Sequence, residues 1–600
     1  MGTNINFNKI LGISKETNIV LPTSSSGDTE SMIFTITTVS AGQTFRLSGT
    51  PSTANVYNYD VDWGDGSSDT GVTLHDKTHV YALPGLYEIK ITGSIYLRNF
   101  NTTYSEMYTE FKQWGSAVTI TGTREFFNGC KYMTYTATDA PNFNQTVTTT
   151  YRGGYRFFYN CDSITHLDIS NWDVSSFQGN TASSMFESMN NCELLNISNW
   201  NLSSISGSFA NSFAGLGYSS PNGCEIIAPN LKIPNITTLN RMFYNASLSS
   251  VNLNNWVFST STSSVSFNEA FRRIGYNNSA FYGTLDLDLS TWPVSTNIAS
   301  SAKNMFLESR GLKSINITNW DIRHWTNFDG MFSGCTYLEY IEGLSTQRWD
   351  SATSLSATFS TTYKLKFDIH DFSNDFGSLW NCTTFSRCFY RCGYNNALGN
   401  RGVFPNVTNW DMSNAVSVNQ MLRDSRWNGT STFAPVWDLS LLTGGALRLF
   451  AYNHVGIQTW DWTNVTFTSS ITNFDSFATY VNSGSSPRAL TSIKFGPNCN
   501  FSGISSFVSC FISRNACTVL EFDNSVSFAT AVSFANFLTS VPLATSYYDN
   551  FLVRLDATNT KTGVPVSAQL CQYTLGSAAE TSRTQLVTGQ SWTITDAGGV

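Results

Sequence analysis

A phrase of seven residues returns through the middle of this chain in slightly altered form: DISNWDV from Asp168, NISNWNL from Asn196, NLNNWVF from Asn252 and NITNWDI from Asn316. Trp172 to Trp200 spans 28 residues, Trp292 to Trp320 again 28, and Trp200 to Trp256 twice that. A fixed period of this size means that one small unit has been copied many times, and a unit so short buries too little apolar surface alone to offset the chain entropy lost on folding. The copies must therefore stack, each covering the next, with caps at the ends. The expected product is an elongated solenoid.

Read backwards from each tryptophan, the phrase has a reason at every position. Five and three residues before it stand Leu167 and Ile169, Leu195 and Ile197, Val251 and Leu253, Leu287 and Leu289, Ile315 and Ile317, and Val455 and Ile457. That period of two predicts a short strand with one buried face in each copy. Upstream lies a second signature, MFESMNNC from Met185, MFYNAS from Met242, MFLESR from Met305 and MFSGC from Met331, with FFNGC from Phe126 and FFYNC from Phe157 as variants. It predicts one or two helical turns closing on the preceding strand.

The combined pattern, MF-x-x-C-x-x-L-x-x-L-x-L-x-N-W-D, resembles the BspA-like leucine-rich repeats of bacterial surface proteins and some phage proteins. The resemblance runs from about Asn99 to Ser540; toward its end Trp410, Trp437 and Trp460 keep the beat without the full pattern, and Phe372 replaces a tryptophan. Ahead of the repeats, YDVDWGDGSSDTG (Tyr59 to Gly71) and HVYALPGLYEIKITG (His79 to Gly93) resemble a PKD domain. That resemblance implies an immunoglobulin-like β-sandwich with a tight turn at Trp63 to Gly66. Alternation in Ser31 to Val39 and Gln43 to Thr50 predicts its first strands. The expected fold class is thus β-rich α/β, a leucine-rich-repeat solenoid preceded by the sandwich. The expected division is an N-terminal attachment arm over 1–30, the PKD-like sandwich over 31–96, the repeat solenoid over 97–545 and a capping module over 546–600, the last similar to the closing module of BspA-like proteins. Residues 1–30 lack the basic head and apolar core of a secretion signal, and no stretch is long enough to cross a bilayer as a helix.

Composition narrows the partners. Basic residues number 34 and acidic ones 42, a net charge of -8, and charged residues are only 13% of the chain, about half the usual share. A nucleic-acid partner and membrane insertion are not expected. The cysteines Cys130, Cys161, Cys192 and Cys335 recur at one place in the repeat and read as a buried ladder of free thiols. Cys382, Cys388 and Cys392 match no zinc spacing. The six histidines are scattered, and the closest carboxylate pair, Asp62 and Asp65, falls in a turn where backbone hydrogen bonding is its ordinary role. No catalytic residue, metal or cofactor is expected. Sequons such as those at Asn196, Asn235, Asn245, Asn316 and Asn464 follow from a repeat written in Asn, Ser and Thr.

One constellation suggests binding. If the positions five and three before each tryptophan point inward, those four and two before it point outward: Asp168 and Ser170, Asn196 and Ser198, Asn252 and Asn254, Asp288 and Ser290, Asn316 and Thr318. Stacked about 4.8 Å apart, they would form a polar ladder able to hydrogen-bond an extended ligand such as a sugar polymer; the alternative is that these side chains bond one another along the stack. The functional expectation is a non-enzymatic phage virion protein, a receptor-binding fibre or a capsid decoration. It would attach to other virion proteins through the arm, present the repeat surface to a host glycan or protein, and be open to homo-oligomer formation. A bacterial cell-surface adhesin is the alternative and a polysaccharide-degrading enzyme a distant third.

Overall fold

A computed structural model of the 600-residue chain describes residues 27–49, 57–100, 102–144, 153–253, 255–257, 265–292, 294, 301–367, 379–394, 402–403, 405–452, 454–480 and 490–600. Most of the arm, together with Asn254 and Phe372, lies outside them. The chain divides into two compact units, residues 1–293 and 294–600.

The first unit begins with antiparallel pairing. Strand β1 (Met32–Thr38) pairs with β6 (Gly85–Ile95), which also pairs with β3 (Asn58–Asp62), itself hydrogen-bonded to β4 (Ser68–Val72). A separate antiparallel pair, β2 (Gln43–Leu47) and β5 (Lys77–Tyr81), lies against this sheet: Phe45 of β2 is 6.5 Å from Phe34 of β1, centroid to centroid, and 5.5 Å from Tyr108. The sheet does not stop at residue 96. On its far side β1 pairs antiparallel with β7 (Tyr108–Gln113), while β8 (Val118–Ile120) adds parallel to β6. The first repeats thus grow directly from the module's own strands, with β9 (Thr134–Tyr135) parallel to β7 and β10 (Asn142–Phe143) parallel to β8.

From there the unit is a β-solenoid. Strands β11 (His166–Asp168), β13 (Leu194–Asn196), β15 (Cys224–Ile227) and β17 (Leu248–Asn252) form one parallel sheet, and β12 (Gly179–Thr181), β14 (Ile205–Ser208) and β16 (Asn235–Thr238) a second. The alternating positions point as expected: Leu167, Ile169, Leu195, Ile197, Leu253, Leu287 and Leu289 are buried, and Val251 is half-buried beside a register shift in β15 and β17. The tryptophans are core, as Trp172, Trp200, Trp256 and Trp292 are all at most 4% exposed. Three of the indoles tie successive turns of the solenoid together: Trp200 Nε1 donates to the Ile169 carbonyl at 2.9 Å, Trp256 Nε1 to the Ala228 carbonyl at 2.7 Å and Trp292 Nε1 to the Leu253 carbonyl at 3.1 Å.

The M-F segments are where the expectation fails. They are not helical turns. In the first unit each holds two left-handed residues four apart, Glu125 and Gly129, Arg156 and Asn160, Ser184 and Ser188, Asn211 and Gly215, Arg241 and Asn245. These reversals turn alternate peptide planes, so that the N–H groups of Glu125, Phe127 and Gly129 leave the segment and donate to the carbonyls of Tyr155, Phe157 and Tyr159 in the next turn of the solenoid at 2.7, 2.8 and 2.8 Å. The intervening donors close locally, Asn128 to Glu125 and Cys130 to Phe127. A helix would satisfy every N–H within itself; here half of them build a third inter-turn ladder. The phenylalanines in this segment consequently stack in a column, Phe158 on Phe186 at 5.9 Å, Phe186 on Phe213 at 5.7 Å, Phe213 on Phe243 at 5.0 Å and Phe243 on Phe271 at 5.2 Å, all with near-parallel rings.

The second unit repeats the plan with more variation. β19 (Leu312–Asn316) pairs with β20 (Tyr340–Glu342), and β21 (Arg426–Phe433), β22 (Val455–Trp462), β23 (Ser492–Phe495) and β24 (Val519–Phe522) form another parallel sheet. Its phenylalanine column runs Phe306, Phe332, Phe359, Phe389 at 5.3, 5.6 and 5.6 Å. Ile315, Ile317, Val455 and Ile457 are buried as the alternation requires. The stack ends on α1 (Thr545–Thr558), whose buried Tyr548, Phe551, Leu552 and Leu555 lie on one face. Phe551 meets Phe537 at 5.2 Å and Phe522 at 6.0 Å. Strand β25 (Pro565–Ala568), helix α2 (Ala578–Thr584) and strand β26 (Thr593–Asp596) complete this end, with the Phe534 N–H donating to the Pro565 carbonyl. Among the described residues α1 and α2 are the α-helices, so the repeats themselves carry none.

Candidate functional site

The outward polar positions occupy the C-terminal ends of the short strands. Asp168 pairs across the sheet with Asn196, Asn196 with Ile227 and Ile227 with Asn252, so in this sheet the polar column is interrupted by an isoleucine. Within a single turn of the solenoid, each acidic or amide side chain folds onto the residue two further on. Asp168 Oδ1 accepts from the Ser170 N–H at 3.1 Å and its hydroxyl at 2.7 Å; Asn196 accepts from the Ser198 N–H at 3.1 Å, Asp288 from the Ser290 N–H at 2.9 Å, and Asn316 from the Thr318 N–H at 3.0 Å and its hydroxyl at 2.7 Å. These Asx turns end the strand and start the bend toward the tryptophan. At Asp168 partial burial pushes the carboxyl up, and the hydrogen bonds from Ser170 outweigh it, holding the group below the usual carboxylate range. One oxygen of each such side chain is thus engaged by the fold. Asn252 is exposed at the end of β17, and Asn254 falls outside the described residues.

The same device recurs after the tryptophans, where Asp173, Asn201, Asp321, Asp411, Asp438 and Asp461 each accept from the N–H two residues ahead, and again at Asp523, which follows Phe522. Near the N-terminus, Asp62 accepts from the Gly64 N–H at 2.9 Å and Asp65 from the Ser67 N–H at 3.0 Å, the backbone role expected for this pair. Asp65 also reaches His79 Nε2 at 2.7 Å, whose ring stacks on Trp63 at 4.8 Å. Burial raises the Asp65 carboxyl, but the bonds from Ser67 and His79 prevail and lower it.

All twelve cysteines are buried free thiols. Cys161 Sγ donates to the Phe127 carbonyl at 3.2 Å and Cys335 Sγ to the Phe306 carbonyl at 2.9 Å, so the recurring thiol joins one turn of the solenoid to the turn before it. Burial pushes the Cys335 and Cys392 thiols up to about 12, and those of Cys130 and Cys388 upward as well, which opposes thiolate chemistry. Among the described residues no group of three or more His, Cys, Asp and Glu side chains is arranged to hold a metal ion, and no helix is long and apolar enough to cross a membrane. His454 is fully enclosed, its Nδ1 3.0 Å from Ser425 Oγ, and burial drives its pKa down to about 3 with nearby Arg514 acting in the same direction.

Sequence reasoning passed over the outer side of the M-F segments, where tyrosines alternate with arginines and lysines. In the first unit Arg156 lies over Tyr159 at 4.8 Å and Arg273 over Tyr276 at 4.9 Å; in the second Arg391 lies over Tyr390 at 5.2 Å and Arg426 over Tyr394 at 4.0 Å. The available signal was the recurrence of Tyr, Arg and Lys at the third to seventh places after the left-handed residue that opens each segment. A helical reading of the segment scatters these residues around an axis.

Among known families, the model described as "Mycoplasma protein of unknown function, DUF285" matches residues 99–218, 154–281, 276–374 and 300–433. No curated protein and no solved structure matches the chain. The overlapping matches span most of the strand, tryptophan and M-F pattern, and together they cover more than half of the chain, which therefore belongs to the DUF285 repeat family.

Proposed function

We propose that this chain is a non-enzymatic phage virion protein, a receptor-binding fibre or a capsid decoration, whose repeat surface recognises a host cell through its glycans or surface proteins. The observation that carries this reading is the register locking of the outer faces. Strand ladders, indole bonds and the M-F ladder fix the height of neighbouring turns within each unit, so an outward side chain recurs at strand spacing, about 4.8 Å. A rigid face with a molecular period suits a ligand that is itself periodic, and binding to it orders few additional side chains. The antiparallel module, whose Trp63–His79–Tyr81 corner carries the PKD-like residues, would act as a spacer, and residues 1–30 would attach to other virion proteins. A bacterial cell-surface adhesin is the second reading, favoured by the bacterial genus in the family's description.

Quantitative mass spectrometry of phage particles purified from the source culture, set against the host envelope fraction, tests the reading. A few to a few dozen copies per particle support a fibre and hundreds a capsid decoration. Presence in the envelope fraction alone overturns the phage assignment and leaves the adhesin.

A further inference from the structure

In the second unit the tyrosines and cations of the M-F face join into one connected strip. Lys364 Nζ lies 4.9 Å over Tyr337, and the neighbouring Tyr363 ring is 6.1 Å from Tyr394. Arg391 and Arg426 lie 5.9 and 4.0 Å over Tyr394; Arg391 is also 5.2 Å from Tyr390, and Arg423 bridges Tyr390 at 5.8 Å and Tyr452 at 5.1 Å. The strip crosses the successive segments opened by the left-handed residues Gly330, Ala357, Arg387, Gln420 and Leu449. The buried Asp424 lies within it, 3.7 Å from Arg391 Nε and 3.4 Å from Arg423 Nε. Lys364, Arg391, Arg423 and Arg426 thus gather cations along this face on a chain whose net charge is -8.

The guanidinium groups are held with one end in the protein. The Nε atoms of Arg391, Arg423 and Arg426 are buried, while the Arg391 and Arg423 side chains remain 42% and 28% exposed. An arginine packed against tyrosine rings loses rotamer freedom, and its planar guanidinium is a fork suited to a carboxylate or sulfate. Arg391 lies in one turn and Arg423 and Arg426 in the next, about 4.8 Å on, a spacing that matches a polymer carrying an anion every one or two sugar rings.

We propose that this strip, from Tyr337 to Tyr452, binds an extended acidic polysaccharide, its carboxylates bridged by Arg391, Arg423 and Arg426 and its ring faces against the tyrosines. The inference rests on the recognition reading above and names its ligand class and its site. A duplex nucleic acid, with a phosphate every ~3.4 Å along each strand, matches the spacing of the turns less well.

The test measures binding of the full chain to immobilised polygalacturonate, polysialic acid, dextran and oligothymidylate at physiological salt. Binding to an acidic polysaccharide, little to dextran, and a loss of at least tenfold in R423Q/R426Q, with Arg323→Gln unaffected, is the expected result. Arg423→Lys should recover only part of the loss, because it restores charge without the fork. Near-ultraviolet circular dichroism identifies a variant that misfolds, in which case Lys364→Gln on the strip's other end is read instead. Equal binding by the strip variants, no binding to either acidic polymer, or preference for oligothymidylate overturns the proposal. A chain absent from particles that still binds through the strip refutes the virion reading alone.

Discussion

The antiparallel module and the solenoid that grows from it bury their cores by opposite rules. In the module, Met32 pairs with Ile91 and Thr38 with Gly85, so each residue meets a partner distant in sequence and unlike itself. In the solenoid many residues meet a like residue from the next copy: Phe on Phe, Trp172 on Trp200 at 6.1 Å, Cys192 Sγ 3.7 Å from Cys224 Sγ, Asp168 beside Asn196. A stack of copies therefore favours side chains that tolerate themselves. Aromatic rings, thiols and amides do, whereas like charges at strand spacing repel. This is a physical reason for the 13% charged residues and the abundance of Asn, Ser and Thr. Cations on the M-F face are admitted because tyrosines separate them.

The largest test of the contrast is Phe213→Ala. Phe213 lies between Phe186 and Phe243 in the column, and its removal should cost about 3–5 kcal/mol. Because turns of the solenoid contact only their neighbours, hydrogen exchange should show lost protection at Phe186, Phe213 and their adjoining segments, with the Ile36 and Ile89 amides of the module unchanged. Phe34→Ala in the module, where Phe34 stacks on Tyr108 at 4.9 Å, should instead release the whole antiparallel sheet together. If both variants melt the same set of amides, the two regions do not differ in the way argued.

Next in size is the acid sensitivity that His454 gives the solenoid. With a folded pKa of about 3 against an unfolded value near 6.5, His454 leaves the unfolded chain binding the extra proton between those limits. Stability from this group is complete above about pH 6.5 and falls with pH through that window, by about 3 kcal/mol at pH 4.5. Denaturant melts at pH 7 and 4.5 should show that loss, and His454→Gln should reduce it whatever its own baseline stability. An unchanged slope in the variant would assign the acid sensitivity to other groups.

Smaller still is Trp256→Phe, which keeps the ring near Trp292 (5.6 Å) but deletes the indole bond to the Ala228 carbonyl. It leaves that buried acceptor without its partner, and the expected cost is about 1–3 kcal/mol by denaturant titration. A cost indistinguishable from zero would show that the tryptophan is retained for its area alone.

How far the sequence could be read follows the same division. Strand alternation, the buried tryptophans and the thiol column were legible because a period of two and a period near 28 each leave a residue-type signature at fixed places. The turn around Trp63 was read from its Asp and Gly residues, and the structure there shows Asp62 and Asp65 committed to backbone donors. Two features were not legible. The outward polar pairs read as a ladder, since spacing gives the face of a side chain but not that Asp168 folds onto Ser170. The M-F segments read as helix because adjacent apolar pairs followed by a small residue mimic a helical face. Their left-handed positions hold Glu125, Arg156, Arg241, Ala357, Arg387 and Leu449 as well as Asn and Gly, so the usual marker of that backbone state is diluted.

That dilution supplies the smallest and most discriminating prediction. Ala357 sits at a φ of 55°, with its N–H donating to the Ser386 carbonyl at 2.8 Å, and the equivalent place one turn of the solenoid earlier is Gly330 at 60°. An L-residue in this region costs about 1–2 kcal/mol relative to a right-handed conformation, whereas glycine pays none of that strain but loses about 0.5–1 kcal/mol in chain entropy. The difference predicts that Ala357→Gly stabilises the protein by about 0.5 kcal/mol, although it removes a methyl group and introduces the residue that weakens helices. In a helical turn the same substitution would destabilise by about 1 kcal/mol. Thermal melts of the full chain distinguish the two by sign: a higher melting temperature fits the left-handed ladder, and a lower one would restore the helical reading of the M-F segments.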